Sequence, residues 1–164
     1  MNIRSKTRIE QAAEEWRATF DSITDSISII DRDFKLVRVN RAFAENQGKR
    51  PQELIGKVCY EVVSKMNKPC PHCYYQEVSQ TKKTATREIY IPDSGVYVEV
   101  TASPLFDAKG EVIGCVRVGH DVTERKRAEQ ELRESEERYR ATVKLGSEVG
   151  EAVVMLWNTE TEES

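Results

Sequence analysis

Apolar residues recur at steps of three and four near the start of the chain, which is the spacing of one face of an α-helix. The positions that share this stripe are Ile9, Ala12, Ala13, Trp16, Phe20 and Ile23. We therefore predict an N-terminal amphipathic helix within residues 1–23. A stripe that contains Trp and Phe needs a partner surface, and the pattern leaves open whether its own domain or a second copy of the chain supplies it.

The pattern changes after residue 24 to short β-rich runs, then short helical segments, then three longer alternating runs. Turn-forming residues such as Asp31-Arg32-Asp33 and Asp93-Ser94-Gly95 separate the β-rich runs. This order predicts an α+β domain over 24–123, with one antiparallel sheet and a helical flank. The expected strands are 26–31, 35–40, 86–91, 95–106 and 111–122, and the expected helices are 41–47, 51–56, 58–64 and 74–83.

From residue 124 the chain is rich in charge of both signs and lacks Gly and Pro up to Arg140. We predict a linker helix over 124–145. Leu132 and Tyr139 lie seven residues apart, as in the seam of a coiled coil. The pattern therefore leaves two alternatives, a helix paired in a coiled coil and a single solvated helix. For residues 146–164 we expect either a C-terminal strand or helix that belongs to the first domain or a disordered tail.

Composition narrows the function classes for this chain of 164 residues with a net charge of −3. No basic stripe is interleaved with aromatics, so we expect no nucleic-acid partner. No apolar run approaches the ~18 residues of a membrane helix, and the start lacks the apolar core of a signal peptide, so we expect a cytoplasmic protein without membrane association. Thiols are mostly reduced there, and four cysteines then favour metal binding, redox sensing or packing over structural disulfides.

Several motifs resemble the PAS sensor domains of prokaryotic signal-transduction proteins. The similarity runs from residue 14 to residue 132, through WRATFDSITDSISIIDRDFKLVRVNRAFAENQGKRPQELIGKVCYEVV and GEVIGCVRVGHDVTERKRAEQEL. The resemblance implies the PAS fold, a five-stranded antiparallel sheet with helices over one face that enclose a small cavity. Flanking this domain we expect the N-terminal amphipathic helix and the C-terminal linker helix. The segment LRESEERYRATVKL is similar to the helix that opens a second PAS domain, so the resemblance implies that residues 146–164 are the truncated start of such a domain, with its first strand at 150–160.

The resemblance also implies a sensory role without catalysis. We find no P-loop, dinucleotide-binding glycine pattern or GxSxG motif, so we do not expect an enzyme. The implied partners are a second copy of the chain and an output domain such as a histidine kinase or a cyclase, as in two-component systems. Asp121, Thr123 and Leu132 are the residues expected to connect the domain to its signalling helix.

Alternation along the last predicted strand places Cys115, Arg117 and Gly119 on one face. By its similarity to light-oxygen-voltage relatives, this face is expected to line the cavity as the ligand pocket. A buried arginine needs a partner, which is either an anionic small-molecule ligand or an internal Asp or Glu.

Cys59, Cys70 and Cys73 form the second candidate site. Cys70 and Cys73 have CxxC spacing at a predicted helix start, where two thiolates can bind one metal ion, and Cys115 or His72 is a possible fourth donor. The segments GKVCYEVV and KPCPHC resemble a subset of PAS domains that contain Cys-Pro-x-Cys.

Three interpretations of these cysteines stay open: a metal or iron–sulfur site, a thiol switch, and packing alone. Haem is a weaker alternative, suggested by Cys70-Pro71 with His72 or His120 as axial ligand. The alternative function is therefore a metal- or iron–sulfur-carrying redox protein on a PAS scaffold.

Overall fold

The computed structural model describes residues 3–161, and the side chains of residues 7–151. The chain divides into a unit that ends at Val122 and a unit that begins at Thr123. Its elements are α1 (Ile3–Ser22), β1 (Ser26–Asp31), β2 (Leu36–Val39), α2 (Arg41–Asn46), α3 (Pro51–Leu54), α4 (Cys59–Val63), α5 (Tyr74–Thr81), β3 (Ala85–Ile91), β4 (Val96–Phe106), β5 (Val112–Asp121) and α6 (Thr123–Thr161).

The first unit contains one five-stranded antiparallel sheet in the order β2-β1-β5-β4-β3. This confirms the predicted α+β class and the five-stranded sheet. β5, the last strand, lies at the centre of the sheet because it pairs with both β1 and β4. The short helices α2–α5 come between β2 and β3 in the chain.

Two aspartates build the turns between β1 and β2 and between β4 and β5. Asp31 accepts hydrogen bonds from the backbone N–H groups of Asp33 and Lys35, both at 2.9 Å. Asp107 does the same for Lys109 and Glu111, again at 2.9 Å. A short carboxylate that binds backbone amides two and four residues ahead favours a tight turn over continued pairing.

The hydrophobic core lies between one face of the sheet and the short helices. Leu36, Leu54, Val78, Ala102 and Cys115 are fully buried there. Aromatic side chains close the helical side, where Phe34 makes edge contacts with Tyr60 and Tyr75. Burial of this apolar surface is the main stabilising term of the domain.

Asn40 is a buried polar residue that ties three segments together. Its side-chain carbonyl accepts from the N–H groups of Ile27 at 2.9 Å and Phe43 at 3.0 Å. Its amide donates to the carbonyls of Ile23 at 3.1 Å and Asp25 at 2.8 Å. Asn40 is thereby the N-cap of α2 and also anchors the chain entering β1.

The apolar stripe of α1 contacts its own domain in part. Trp16 stacks on Phe20 with 4.7 Å between ring centroids, and the Arg38 guanidinium lies 4.5 Å from the Trp16 ring. With Val39 and Ile55, these residues line a groove of about 320 Å³. Trp16 stays 43% exposed, so the groove does not bury the whole stripe.

The second unit is the single helix α6, which runs from Thr123 to Thr161. The strand predicted at 150–160 is therefore wrong, since these residues continue the helix. Ala152, Met155, Leu156 and Glu160 are good helix formers, whereas only Val153, Val154 and Thr159 are β-branched, which explains the outcome. Residues 162–164 of the expected tail lie outside the described part. Among the described residues, we find no helix with the length and apolar character needed to cross a membrane.

Candidate functional site

The helix-covered face of the central strand β5 carries the predicted pocket residues. Cys115 pairs with Ile30 of β1, and Arg117 lies opposite Ser28 on β1 and Ala102 on β4. Directly opposed residues of an antiparallel pair project to the same side of the sheet. Because Ile30, Ala102 and Cys115 belong to the core, this is the inner face, and Arg117 lies on it.

Arg117 makes two contacts on the inner face. One terminal nitrogen donates to the Cys59 sulfur on α4 at 3.3 Å, and the guanidinium carbon lies 5.6 Å from the centre of the Tyr74 ring on α5. The Nε atom is buried without a hydrogen-bond partner. No Asp or Glu among the described side chains forms an ion pair with Arg117, so the internal carboxylate expected from the sequence is not found there.

Gly119 lies two residues further along the same face. A Cβ atom at this position would come within 3.3 Å of Val98 Cγ1 and 3.7 Å of Ser26 Cβ. The glycine therefore allows close packing between β5 and its neighbours at this end of the sheet. Its role in a ligand pocket, like that of Cys115, stays a prediction.

The Cys-Pro-His-Cys segment forms the turn that leads into α5. Cys73 is the N-cap of α5, and His72 adopts a left-handed backbone conformation with φ of 61°. Arg87 on β3 donates to the His72 carbonyl at 3.1 Å and forms an ion pair with Glu77 on α5. These contacts fix the turn against β3 and hold the first turn of α5, which contains Tyr74, over the inner face.

All four cysteines are free thiols: Cys59 and Cys115 are buried, and Cys70 and Cys73 are half-buried. Burial raises the pKa of Cys59, although the nearby Arg117 guanidinium opposes this effect. Burial likewise raises the pKa of Cys115 to about 12. The two buried thiols are therefore protonated at neutral pH without a metal ion, and a metal ion that bound them would displace these protons.

The donor set does not fit a metal ion as it is arranged. Among the described residues, no group of three or more Cys, His, Asp or Glu side chains is placed to hold one. For haem, His72 is exposed, and His120 alternates to the face opposite Arg117, with its Nδ1 atom 2.6 Å from an Asp25 carboxylate oxygen. The metal, iron–sulfur, haem and thiol-switch interpretations stay predictions, and no contact described above supports them.

A family model described as the PAS fold matches residues 20–127. The chain belongs to the PAS family. PAS domains are sensory modules of signalling proteins, and they commonly dimerise and connect to output domains. The match confirms the family expected from the sequence, although it does not test the Cys-Pro-x-Cys subset.

Solved structures share this PAS fold at low identity. The PAS domain of BvgS from Bordetella pertussis is 16% identical, with 79% of this chain and 98% of that chain covered and a TM-score of 0.55. A sensory box sensor histidine kinase from Vibrio cholerae is 12% identical, with 73% and 98% covered and a TM-score of 0.52. An RNA-binding light-oxygen-voltage receptor is 21% identical with a TM-score of 0.59, and the match covers 77% of this chain but 38% of the receptor. No curated protein matched the sequence.

The residues predicted to connect the PAS domain to its helix lie at the end of β5 and in α6. Asp121 is the last residue of β5, Thr123 is the first of α6, and Val122 alone separates the two elements. Val122 is buried, and its N–H donates to the Tyr97 carbonyl at 2.9 Å. Leu132 on α6 is 62% exposed, which leaves its apolar surface open to a partner helix.

Ser28 and Tyr74 are polar residues of the inner face that sequence reasoning did not single out. Each has a buried oxygen without a hydrogen-bond partner among the described residues. Ser28 lies two residues before Ile30 on β1, so the alternation of the strand places it on the same inner face as Ile30. Its position opposite Arg117, however, depends on the register between strands 80 or more residues apart in the chain.

Proposed function

We propose that this chain is the sensory module of a signalling protein. In this proposal the PAS domain receives a signal on its inner face, and α6 passes the signal to an output domain such as a histidine kinase. The module binds and relays, and it does not turn over a substrate. The observation that carries the proposal is the path of β5, which contains Arg117 and continues through the single residue Val122 into α6.

The position of β5 supports this relay. It pairs with β1 and β4 across the centre of the sheet, so a change at Arg117 acts on the strand from which the helix leaves. The anchored Val122 N–H limits how the chain leaves the sheet. A ligand shifts such an equilibrium only by its difference in affinity for the two arrangements, and the partly unsatisfied Arg117 provides a place for that difference.

We further propose that α6 works as a paired helix in a homodimer. Leu132 and Tyr139 are 62% and 72% exposed and seven residues apart on α6, as a coiled-coil seam requires. Sedimentation equilibrium of the full chain should show a dimer at micromolar concentration. A monomer at the highest soluble concentration would contradict this part of the proposal.

The relay is tested by joining α6 in frame to a histidine kinase catalytic region and measuring autophosphorylation. Arg117→Met changes the inner face, and we expect it to alter kinase output by about 5-fold or more, the lower range of allosteric coupling. Adding Leu132→Glu should remove this difference, because a charge in the seam opposes pairing. Leu145→Glu is the matched control, since Leu145 is also 62% exposed but lies outside the Leu132 heptad register.

Two results would contradict the relay. One is equal kinase output with Arg and Met at position 117. The other is an output difference that persists in Leu132→Glu. Either result would show that the inner face and the helix act independently.

A further inference from the structure

Three buried polar atoms of the PAS domain lack a hydrogen-bond partner among the described residues. They are the Ser28 hydroxyl oxygen, the Tyr74 hydroxyl oxygen and Arg117 Nε. Ser28 is only 1% exposed. Folded proteins leave few such atoms, because each unsatisfied buried group costs about 1–3 kcal/mol.

The three atoms belong to one region of the inner face. Ser28 and Arg117 are directly opposed across β1 and β5, which places their Cβ atoms about 4.5–5.5 Å apart. Tyr74 covers the same place from α5, with its ring centre 5.6 Å from the Arg117 guanidinium carbon. On the other side of Arg117, the opposed residue on β4 is Ala102, and Ala85 follows on β3. Both alanines are buried in the core, and neither side chain offers a hydrogen-bond acceptor to the guanidinium.

All three unsatisfied groups can donate a hydrogen bond, and one of them is charged. The Cys59 thiol and the Tyr74 hydroxyl stay neutral at pH 7, because burial raises the pKa of both groups; nearby arginines oppose the rise without reversing it. Neither group therefore neutralises Arg117, which also has no carboxylate partner among the described side chains. Arg87, the other arginine beside Tyr74, differs in that it is paired with Glu77.

We propose that Ser28, Tyr74 and Arg117 form the binding site for the carboxylate group of a small-molecule ligand. The carboxylate oxygens accept hydrogen bonds from the two hydroxyls and from the guanidinium, and the negative charge compensates Arg117. A water molecule would satisfy the hydroxyls but would leave the charge uncompensated, and a neutral ligand would do the same. This inference rests on the proposed sensory function and gives that function its class of signal.

The experiment measures thermal unfolding of the full chain with defined probes. The sodium salts of formate, acetate, pyruvate and benzoate are compared with sodium chloride at equal ionic strength, and acetamide and benzamide serve as neutral analogues. We expect at least one carboxylate to raise Tm saturably, by about 3–6 °C at ten times its Kd. The amides should have no effect. If no carboxylate exceeds chloride, or if the amides act equally, the proposal is overturned.

Matched variants assign the effect to this site. Arg117→Met should abolish the Tm shift, while Ser28→Ala and Tyr74→Phe should each weaken binding about 10-fold or more, as expected for hydrogen bonds to a charged group. Arg50→Met should keep the shift, since Arg50 is exposed and paired with Glu53 at the start of α3, away from the three proposed ligand residues. Retained binding in Arg117→Met, or its loss in Arg50→Met as well, would overturn the assignment.

The variants also report on the empty site and separate the two proposals. Removal of a buried unsatisfied group relieves its cost, so Ser28→Ala without ligand should be at least as stable as the original chain. A clear loss of stability would mean that the Ser28 hydroxyl is satisfied in the folded domain, and it would overturn the place of Ser28 in the site. Failure of carboxylate binding with a working kinase relay would overturn the ligand class alone, and binding without relay would overturn the sensory function.

Discussion

Replacement of Asn40 by alanine tests how the domain is held together where α1, β1 and α2 meet. The substitution removes four hydrogen bonds, to Ile27, Phe43, Ile23 and Asp25. The Ile27 and Phe43 N–H groups are buried, and each costs about 1–3 kcal/mol when left unpaired. The two carbonyls are only partly buried and add less. The expected loss in free energy of unfolding is about 4 kcal/mol, of which the helix cap accounts for about 1.

Urea denaturation followed by circular dichroism measures this loss. With an m-value of about 2 kcal/mol/M, the midpoint should fall by about 2 M at unchanged m. Asn46→Ala is the control, because Asn46 lies exposed at the end of the same helix and should change stability by less than about 0.5 kcal/mol. A loss below about 1 kcal/mol in Asn40→Ala would refute the reasoning, since it would mean that the four bonds are replaced at little cost.

Two further predictions concern the central strand. Gly114→Ala places a Cβ only 2.3 Å from the Ile30 carbonyl oxygen, so we expect the free energy of unfolding in urea to fall by about 1–3 kcal/mol. Gly150→Ala in α6 is the control, because its Cβ meets no atom within 4 Å and the change should be neutral or stabilising. Equal effects of the two substitutions would contradict the clash. Burial raises the Cys115 pKa from 9.0 to about 12, so between these pH values the unfolded chain releases a proton that the native chain keeps. The free energy of unfolding should therefore be flat below about pH 9 and fall above it by up to about 1.4 kcal/mol per pH unit. Urea midpoints between about pH 8 and pH 10.5 should fall less steeply in Cys115→Ala, and identical slopes would contradict this origin.

The amino-acid pattern determined most of the fold. Strand β1 was predicted with its observed bounds, and β2–β5 lie within one residue of the predicted runs at each end. Alternation and turn residues are local signals, so they can be read without knowledge of distant contacts. The PAS motifs added the five-stranded sheet, which the family match and the structure confirm.

The tail of the chain shows where the family resemblance was insufficient. The segment at 150–160 was predicted as a strand by its similarity to the start of a second domain, and it is helical up to Thr161. Its few β-branched residues do not outweigh an existing helix, because adding a residue to a helix is far easier than starting a new element.

The composition of the candidate site was decided by tertiary structure. The sequence indicated that Arg117 faces inward and requires a partner, but it could not identify Cys59 and Tyr74 as its contacts or show that no described carboxylate pairs with it. Nor could it identify the cluster of unsatisfied atoms, which exists only because β1–β5 register opposes Ser28 to Arg117 and α5 brings Tyr74 above them. Hydrogen-bond satisfaction depends on distances of a few ångström between segments far apart in the chain, and periodicity contains no information about such distances.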